Sequence, residues 1–179
     1  MNDDLPSGYH PPLANSGEAE SFPGDAFGDQ TQTARKLQLL SVGSLVLGVF
    51  EDEIATIAEW RKPTPLPYGS PGVLGVVSIQ GRMLTVLDLL PLLGETANGD
   101  GASRGFLVAL RGDEQIALTV EEKGETLELA TTDLRPPSEP ASRVVYATFS
   151  YRGQLIKVID VKELFPSALR ERQRRRRRF

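Results

Sequence analysis

The stretch "SIQGRMLTVLDLLPLL", residues 78–93, occurs again in altered form as "SYRGQLIKVIDVKELF", residues 150–165. The two share serine at 78/150, glycine at 81/153, valine at 86/158, aspartate at 88/160 and leucine at 92/164. Most other core positions stay apolar. Each copy reads as strand end, tight turn, second strand and the start of a short helix. Gly81 and Gly153 suit the turns, because glycine takes a positive φ between paired strands at no steric cost. Asp88 and Asp160 stand where a strand ends and a helix begins, and an aspartate there accepts bonds from free first-turn amides. Pro91 is tolerated in that first turn. Asp160 with Glu163 makes the Asp-x-x-Glu of a capping box.

The repeat reaches further. "GSLVLGVFED" (43–52) aligns with "DEQIALTVEE" (113–122) at an offset of 70, and the offset is 72 by the quoted phrase. Two related halves of roughly seventy residues follow, far too few repeats for a solenoid. Short strands with turn signals every eight to twelve residues point to small antiparallel barrels. The expectation is a mainly β chain of two barrels packed side by side and sharing a core, with short helices.

Along the chain, Gly43-Ser44 separates two apolar runs as a hairpin does. "EDEIATIAEW" places Ile54, Ile57 and Ala58 at helical spacing behind an acidic first turn, which predicts a helix. "RKPTPLPYGSPG" reads as an extended loop, and residues 94–105 as a glycine-rich linker. "FLVALRGDEQIALTV" is strand, turn, strand. "EEKGETLEL" carries a turn and a third strand, and "TTDLRPPSEPAS" is a second proline-bearing loop. The folded region is expected at 36–166, with halves at about 36–94 and 105–166.

With 179 residues, 40% of them apolar, one compact domain or two small ones can bury a core. Cysteine is absent, which excludes disulfides, thiolate metal sites and a cysteine nucleophile. No apolar run approaches a membrane span, and the N-terminus lacks the pattern of a secretory signal. A soluble cytoplasmic protein is expected.

The net charge of -4 is unevenly spread. Residues 1–34 hold six acids and no Lys or Arg, whereas residues 170–179 hold seven arginines against one glutamate. Residues 1–35 are expected to be a disordered acidic tail. Residues 167–179 form a basic tail whose run Arg174, Arg175, Arg176, Arg177 and Arg178 should be disordered without a partner. The alternatives for it are a solvated tail and a weak electrostatic contact with an anionic surface, lipid or nucleic acid.

Signals for enzymatic chemistry are sparse. His10, the sole histidine, lies in the acidic tail, which excludes histidine acid–base work in the folded part. "GSLVLGVF" spaces its glycines like a phosphate loop, but Val49-Phe50 replace the lysine and hydroxyl that chemistry requires. Asp88 and Asp160 fit capping better than catalysis. Glu121, Glu122 and Glu125 fit a solvated face better than a metal site, and Gly99-Asp100-Gly101 lacks the acids of a calcium loop. No catalytic residue, cofactor site or metal site is assigned.

"LVLGVFEDEIATI", "TPLPYGSPGVLGVVSIQGRMLTVLDLLPLLGE" and "IALTVEEKGETLEL" together resemble the CheW-like domain of bacterial chemosensory systems, over roughly residues 36 to 166. Pro65-Leu66-Pro67, Leu74-Gly75-Val76-Val77, Gly81, Val86-Leu87-Asp88-Leu89 and Leu93-Gly94 carry the resemblance. It implies two SH3-like five-stranded barrels and a non-enzymatic adaptor. The implied partners are the regulatory domain of the histidine kinase CheA and the cytoplasmic tips of methyl-accepting chemoreceptors, in arrays beneath the membrane. Related copies serve pilus-motility pathways.

Two departures stand out. The family usually has Asn-Leu-Arg-Gly where this chain has Ser78-Ile79-Gln80-Gly81, and an acid where it has Thr56, so a charged pair has become neutral. Candidate contact residues are Ile54, Thr56 and Ile57 on the expected helix, with Val77 and Gln80 near the turn. For Ile54 and Ile57, core packing is the stronger reading.

Overall fold

The computed structural model describes residues 34–67, 70, 72–95, 104–112, 114–137 and 143–176. His10, the loop Gly99–Gly101, most of the 94–105 linker and the acidic residues before 34 lie outside them. The strands are β1 (Ala34–Val42), β2 (Leu45–Phe50), β3 (Ile54–Glu59), β4 (Val73–Ile79), β5 (Arg82–Leu87), β6 (Phe106–Leu110), β7 (Ile116–Val120), β8 (Glu122–Ala130), β9 (Val145–Tyr151) and β10 (Gln154–Ile159). Two helices complete the fold, α1 (Leu89–Leu92) and α2 (Val161–Arg176).

The strands form two five-stranded sheets, ordered β3-β6-β7-β5-β4 and β8-β1-β2-β10-β9. Advancing each strand of the first sheet by five positions in the cycle of ten yields the second sheet in the same order. The two sheets are therefore copies of one topology, but the repeat halves and the sheets do not coincide. The β1–β2 hairpin sits in the sheet with β8, β9 and β10, while its counterpart, β6–β7, sits with β3, β4 and β5. Each half lends its hairpin to the neighbour.

Both sheets close into SH3-like barrels by the same device. After β3 the chain returns along β4, where Thr64 and Val76 exchange two backbone bonds of 2.8 and 2.9 Å. After β8, Arg135 and Thr148 do the same at 2.9 and 2.8 Å. Gly75 makes the first closure sterically possible: a Cβ there would lie 2.2 Å from the Thr64 carbonyl oxygen, and its φ is +143°.

The hairpins β1–β2 and β6–β7 are buried on both faces, which explains continuous apolar runs such as "FLVAL" and "IALTV". One face of each hairpin fills its own barrel. Leu37, Leu39 and Phe50 pack with Phe149, Ile156 and Val158 in one, and Leu107, Ala109 and Ala117 with Ile79, Leu84 and Val86 in the other. The opposite faces meet in a core shared by both barrels. Leu40, Leu47 and Val49 lie there against Val108, Leu118 and Val120, with α1 and the start of α2.

Five local expectations need correction. "EDEIATIAEW" is not a helix: Glu51–Glu53 make one 3-10 turn and Ile54–Glu59 pair with β6. A β-bulge shifts the register between Ile54 and Thr56, so Ile54 and Ile57 both pack on the shared core although three residues apart. That spacing imitates a helix. The glycine in "EEKGETLEL" is likewise a bulge inside the continuous strand β8, not a turn.

The capping box at Asp160 is half formed. Its side chain accepts from the Lys162 N–H at 3.0 Å, but its own N–H donates to Val144 and Glu163 pairs with Arg170 at 2.6 Å. The basic segment is helical as far as Arg176, where disorder was expected, because α2 is seated by Val161, Leu164 and Ala168 and propagates outward from that nucleus; Arg177 and Arg178 lie outside the described residues. Strand β1 begins at Ala34, two residues before the expected onset of order.

Candidate protein-interaction surface

The quoted repeat becomes two equivalent hairpins, β4–β5–α1 in one barrel and β9–β10–α2 in the other. Their two-residue turns have the same backbone. Gln80 and Gly81 have φ of 51° and 79°, Arg152 and Gly153 48° and 79°. Two successive positive values are the mark of a type I′ turn, whose twist matches paired strands. Glycine takes the second position readily, while Gln80 and Arg152 hold left-handed conformations that project them from the hairpin tips.

Strand alternation then decides what each hairpin exposes. On β5, Leu84 and Val86 point into the barrel, which leaves Met83 outward and 57% exposed. On β10, Ile156 and Val158 point in, and Leu155 is 63% exposed. Met83 and Leu155 are 72 positions apart, the repeat offset. Each barrel thus presents a large apolar side chain beside a protruding turn. These two residues escaped the sequence reading, though the period of two running through "RMLTVL" and "QLIKVI" carries the signal.

The five proposed contact residues fall in different environments. Ile54 and Val77 are buried, each 8% exposed. Ile57 is half-buried against the shared core. Thr56 is half-buried on β3 opposite Ala109. Gln80 is exposed at the turn. Strands β3 and β4 stand at opposite ends of the sheet order, so the closure at Thr64–Val76 joins the segments that carry Thr56 and Gln80.

Electrostatics separates the two hairpins. Arg152 pairs with Glu125 on β8 at 3.1 Å and lies 5.0 Å from the Tyr151 ring centroid. Strand β8 is the counterpart of β3, so the turn residue Arg152 has a charged partner on that strand, whereas its equivalent Gln80 is neutral.

The acidic residues do not converge on a reaction centre. Asp88 accepts from the Leu90 N–H at 3.1 Å as a helix cap and lies 3.7 Å from Arg104. Glu121 accepts from the Gly43 N–H, and Glu125 is taken by Arg152. Among the described residues no group of three metal-ligating side chains gathers. Gly48, the last glycine of the phosphate-loop lookalike, gives its space to Leu37, whose Cδ2 would lie 2.4 Å from an added Cβ.

A cleft of about 480 Å³ opens between the 3-10 turn, the β6–β7 connection and the start of α2, lined by Asp52, Glu53, Arg111, Glu114 and Lys162 among others. Burial raises the Glu53 carboxyl above its ordinary value, and Arg35, 3.9 Å away, only partly offsets this. Arg35 is already committed: it stacks 3.5 Å over the Phe50 ring and pairs with Asp52 at 2.7 Å.

A model of the CheW-like domain matches residues 36–169. The chain belongs to the CheW-like family. It is 26% identical over 145 residues to the "Chemotaxis protein CheW" of Rhizobium meliloti (strain 1021), covering 79% of this chain and 94% of that protein. The solved structure of the scaffolding protein TtCheW from Thermoanaerobacter tengcongensis superposes with a TM-score of 0.65 at 16% identity, over 74% of this chain and 92% of that one. CheW-like proteins are non-enzymatic scaffolding adaptors of chemotaxis, and this chain is such a protein rather than an enzyme. Among the described residues no helix is long and apolar enough to cross a membrane.

Proposed function

We propose that this CheW-like chain couples the regulatory domain of a CheA-type histidine kinase to the cytoplasmic tips of methyl-accepting chemoreceptors, in arrays at the inner face of the membrane. The observation that carries the reading is the pair of equivalent hairpins, each with an outward turn residue and an exposed apolar neighbour, Gln80 with Met83 and Arg152 with Leu155. Two such features on one interlocked body suit a part that joins partners without transforming them. Thr56 and Gln80 lie toward the receptor contact in this reading, while buried Ile54 and Val77 act by holding β3 and β4 in place.

Neutrality at Thr56 and Gln80 favours a divergent assignment within the same function, an adaptor of a pilus-motility or other specialised chemosensory pathway. The test is calorimetric titration of the full chain with the kinase regulatory domain and with a receptor-tip fragment. Binding to both is expected. Absence of both would end the coupling hypothesis. The double variant Thr56→Glu, Gln80→Arg restores the family's charges and should change receptor-tip affinity while leaving kinase affinity unaltered.

A further inference from the structure

We infer that Met83 is an oxidation site that switches the first hairpin: a peroxide converts its thioether to the sulfoxide, and the contact made beside the Gln80-Gly81 turn weakens. The inference rests on the proposed coupling contact and adds a control over it. The chain has no cysteine and two methionines, Met1 and Met83, so Met83 carries the one sulfur among the described residues. Its side chain is 57% exposed on β5, next to a protruding turn, and a thioether so placed is open to oxidant from solvent. The second hairpin supplies the comparison. It has the same turn backbone, a serine opposite its outward residue as in the first, and Leu155, 63% exposed, at the equivalent position. Leucine meets the apolar requirement there without sulfur. The fold therefore does not call for a thioether at 83, and of the two hairpins only the first carries an oxidisable sulfur.

The chemistry is a two-electron oxygen transfer. The sulfur attacks one peroxide oxygen, an S–O bond forms and the O–O bond breaks. The proton on the transferred oxygen passes to the departing hydroxide, which leaves as water. Sulfur is oxidised and the peroxide is reduced. The product replaces a flexible apolar side chain with a polar one whose new oxygen accepts hydrogen bonds. The register sets Ser78 directly opposite Met83, and Ser78 is exposed. Opposed residues share a face with Cβ atoms about 4.5–5.5 Å apart, so the Ser78 hydroxyl is a donor beside that oxygen. A polar pair then stands where the thioether offered apolar area to a partner. Leu84 and Val86 face the barrel core from the same strand and take no part in the change. Reduction by methionine sulfoxide reductase reverses it: two thiols supply two electrons and become a disulfide, and the oxygen leaves as water.

The test treats the full chain with hydrogen peroxide and follows it by tryptic peptide mass and by calorimetric titration with the kinase regulatory domain and a receptor-tip fragment. Trypsin cuts after Arg82 and Arg104, which puts Met83 in a different peptide from Met1 and from Trp60. The peptide Met83–Arg104 should gain one oxygen, and the melting temperature should not move, since no core residue changes. One of the two partners should then bind about fivefold or more weakly, the other as before, and methionine sulfoxide reductases of both stereospecificities with dithiothreitol should restore the loss. Met83→Gln, polar without any oxidant, should weaken the same partner. Met83→Leu removes the sulfur, and its affinities should be the same before and after peroxide. Three results would each overturn the inference: no oxygen on the Met83–Arg104 peptide, unchanged affinity for both partners in the oxidised chain, or a peroxide-induced loss that persists in Met83→Leu. Titrating the parent before oxidation keeps the two readings separate. A parent that binds neither partner ends the coupling reading, whereas a parent that binds both and does not respond to oxidation ends only this inference.

Discussion

Glu53 lines the cleft at the β6–β7 connection with one carboxylate oxygen buried and without a hydrogen-bond partner among the described residues. Desolvation outweighs the pull of Arg35, and the carboxyl is raised. Between the ordinary carboxylate value and this raised one, the folded protein binds more proton than the unfolded chain. Stability therefore falls as pH rises through that window and stays lower above it. Glu53→Gln should melt at a higher temperature than the parent near about pH 7, with the difference vanishing below about pH 4. Equal melting temperatures across that range would show that Arg35 fully compensates the burial. Gly75 is the opposite case, a residue required for what it lacks. Gly75→Ala sets a Cβ against the Thr64 carbonyl and strains a positive φ; the expected loss is about 2–4 kcal/mol in denaturant unfolding. Gly81→Ala has open space around it and incurs only the conformational term. The glycine at 75 was visible in the sequence as part of a family pattern. Its reason was not, because the clashing carbonyl is eleven residues away and arrives only when the barrel closes.

At the scale of elements, the two type I′ hairpins expose the apolar side chains of Met83 and Leu155 beside their turns. Met83→Ser and Leu155→Ser remove apolar surface that the fold does not bury, so each should change stability by no more than about 0.5 kcal/mol. Each should weaken the kinase domain or the receptor tip by about fivefold or more in calorimetry. If both variants bind both partners as the parent does, the hairpin faces are not the contact. The hairpins were legible because a two-residue turn with glycine between alternating strands is encoded locally. Strand β3 was not. Its β-branched residues Ile54, Thr56 and Ile57 favour a strand, but the bulge after Ile54 inserts one extra residue into the period of two. Apolar residues three apart then look helical until β6 is alongside to define the register. The same bulge in β8 disguised itself as a turn at Gly124. In α2 the difference ran the other way: the arginine run argued against order, while the buried turn at Val161, Leu164 and Ala168 nucleates a helix that extends to Arg176.

For the whole molecule, the exchange of hairpins makes the two barrels one unit. Leu47 on β2 and Leu118 on β7 belong to different barrels yet share a single core, and both are fully buried. Neither repeat half contains a complete sheet without the other's hairpin, and each barrel loses one wall of the shared core if the other unfolds. Thermal unfolding should therefore be a single transition, with emission of Trp60, which packs in the barrel of β3 to β7, coinciding with far-ultraviolet circular dichroism. Leu118→Ala should lower stability by about 2–5 kcal/mol and move both signals together. Two separated transitions would refute the interlocking. The sequence by itself determined the repeat, its turns, the caps at Asp88 and Asp160 and the family, since each depends on residues within a few positions of one another or on an ordered series of short motifs. Only the tertiary structure decided which strands share a barrel. In each sheet the two halves meet through one antiparallel pairing, β3 with β6 or β1 with β8, and one parallel pairing, β5 with β7 or β10 with β2. Such pairings join distant segments through backbone groups that every residue carries, so side-chain pattern alone does not name the partner.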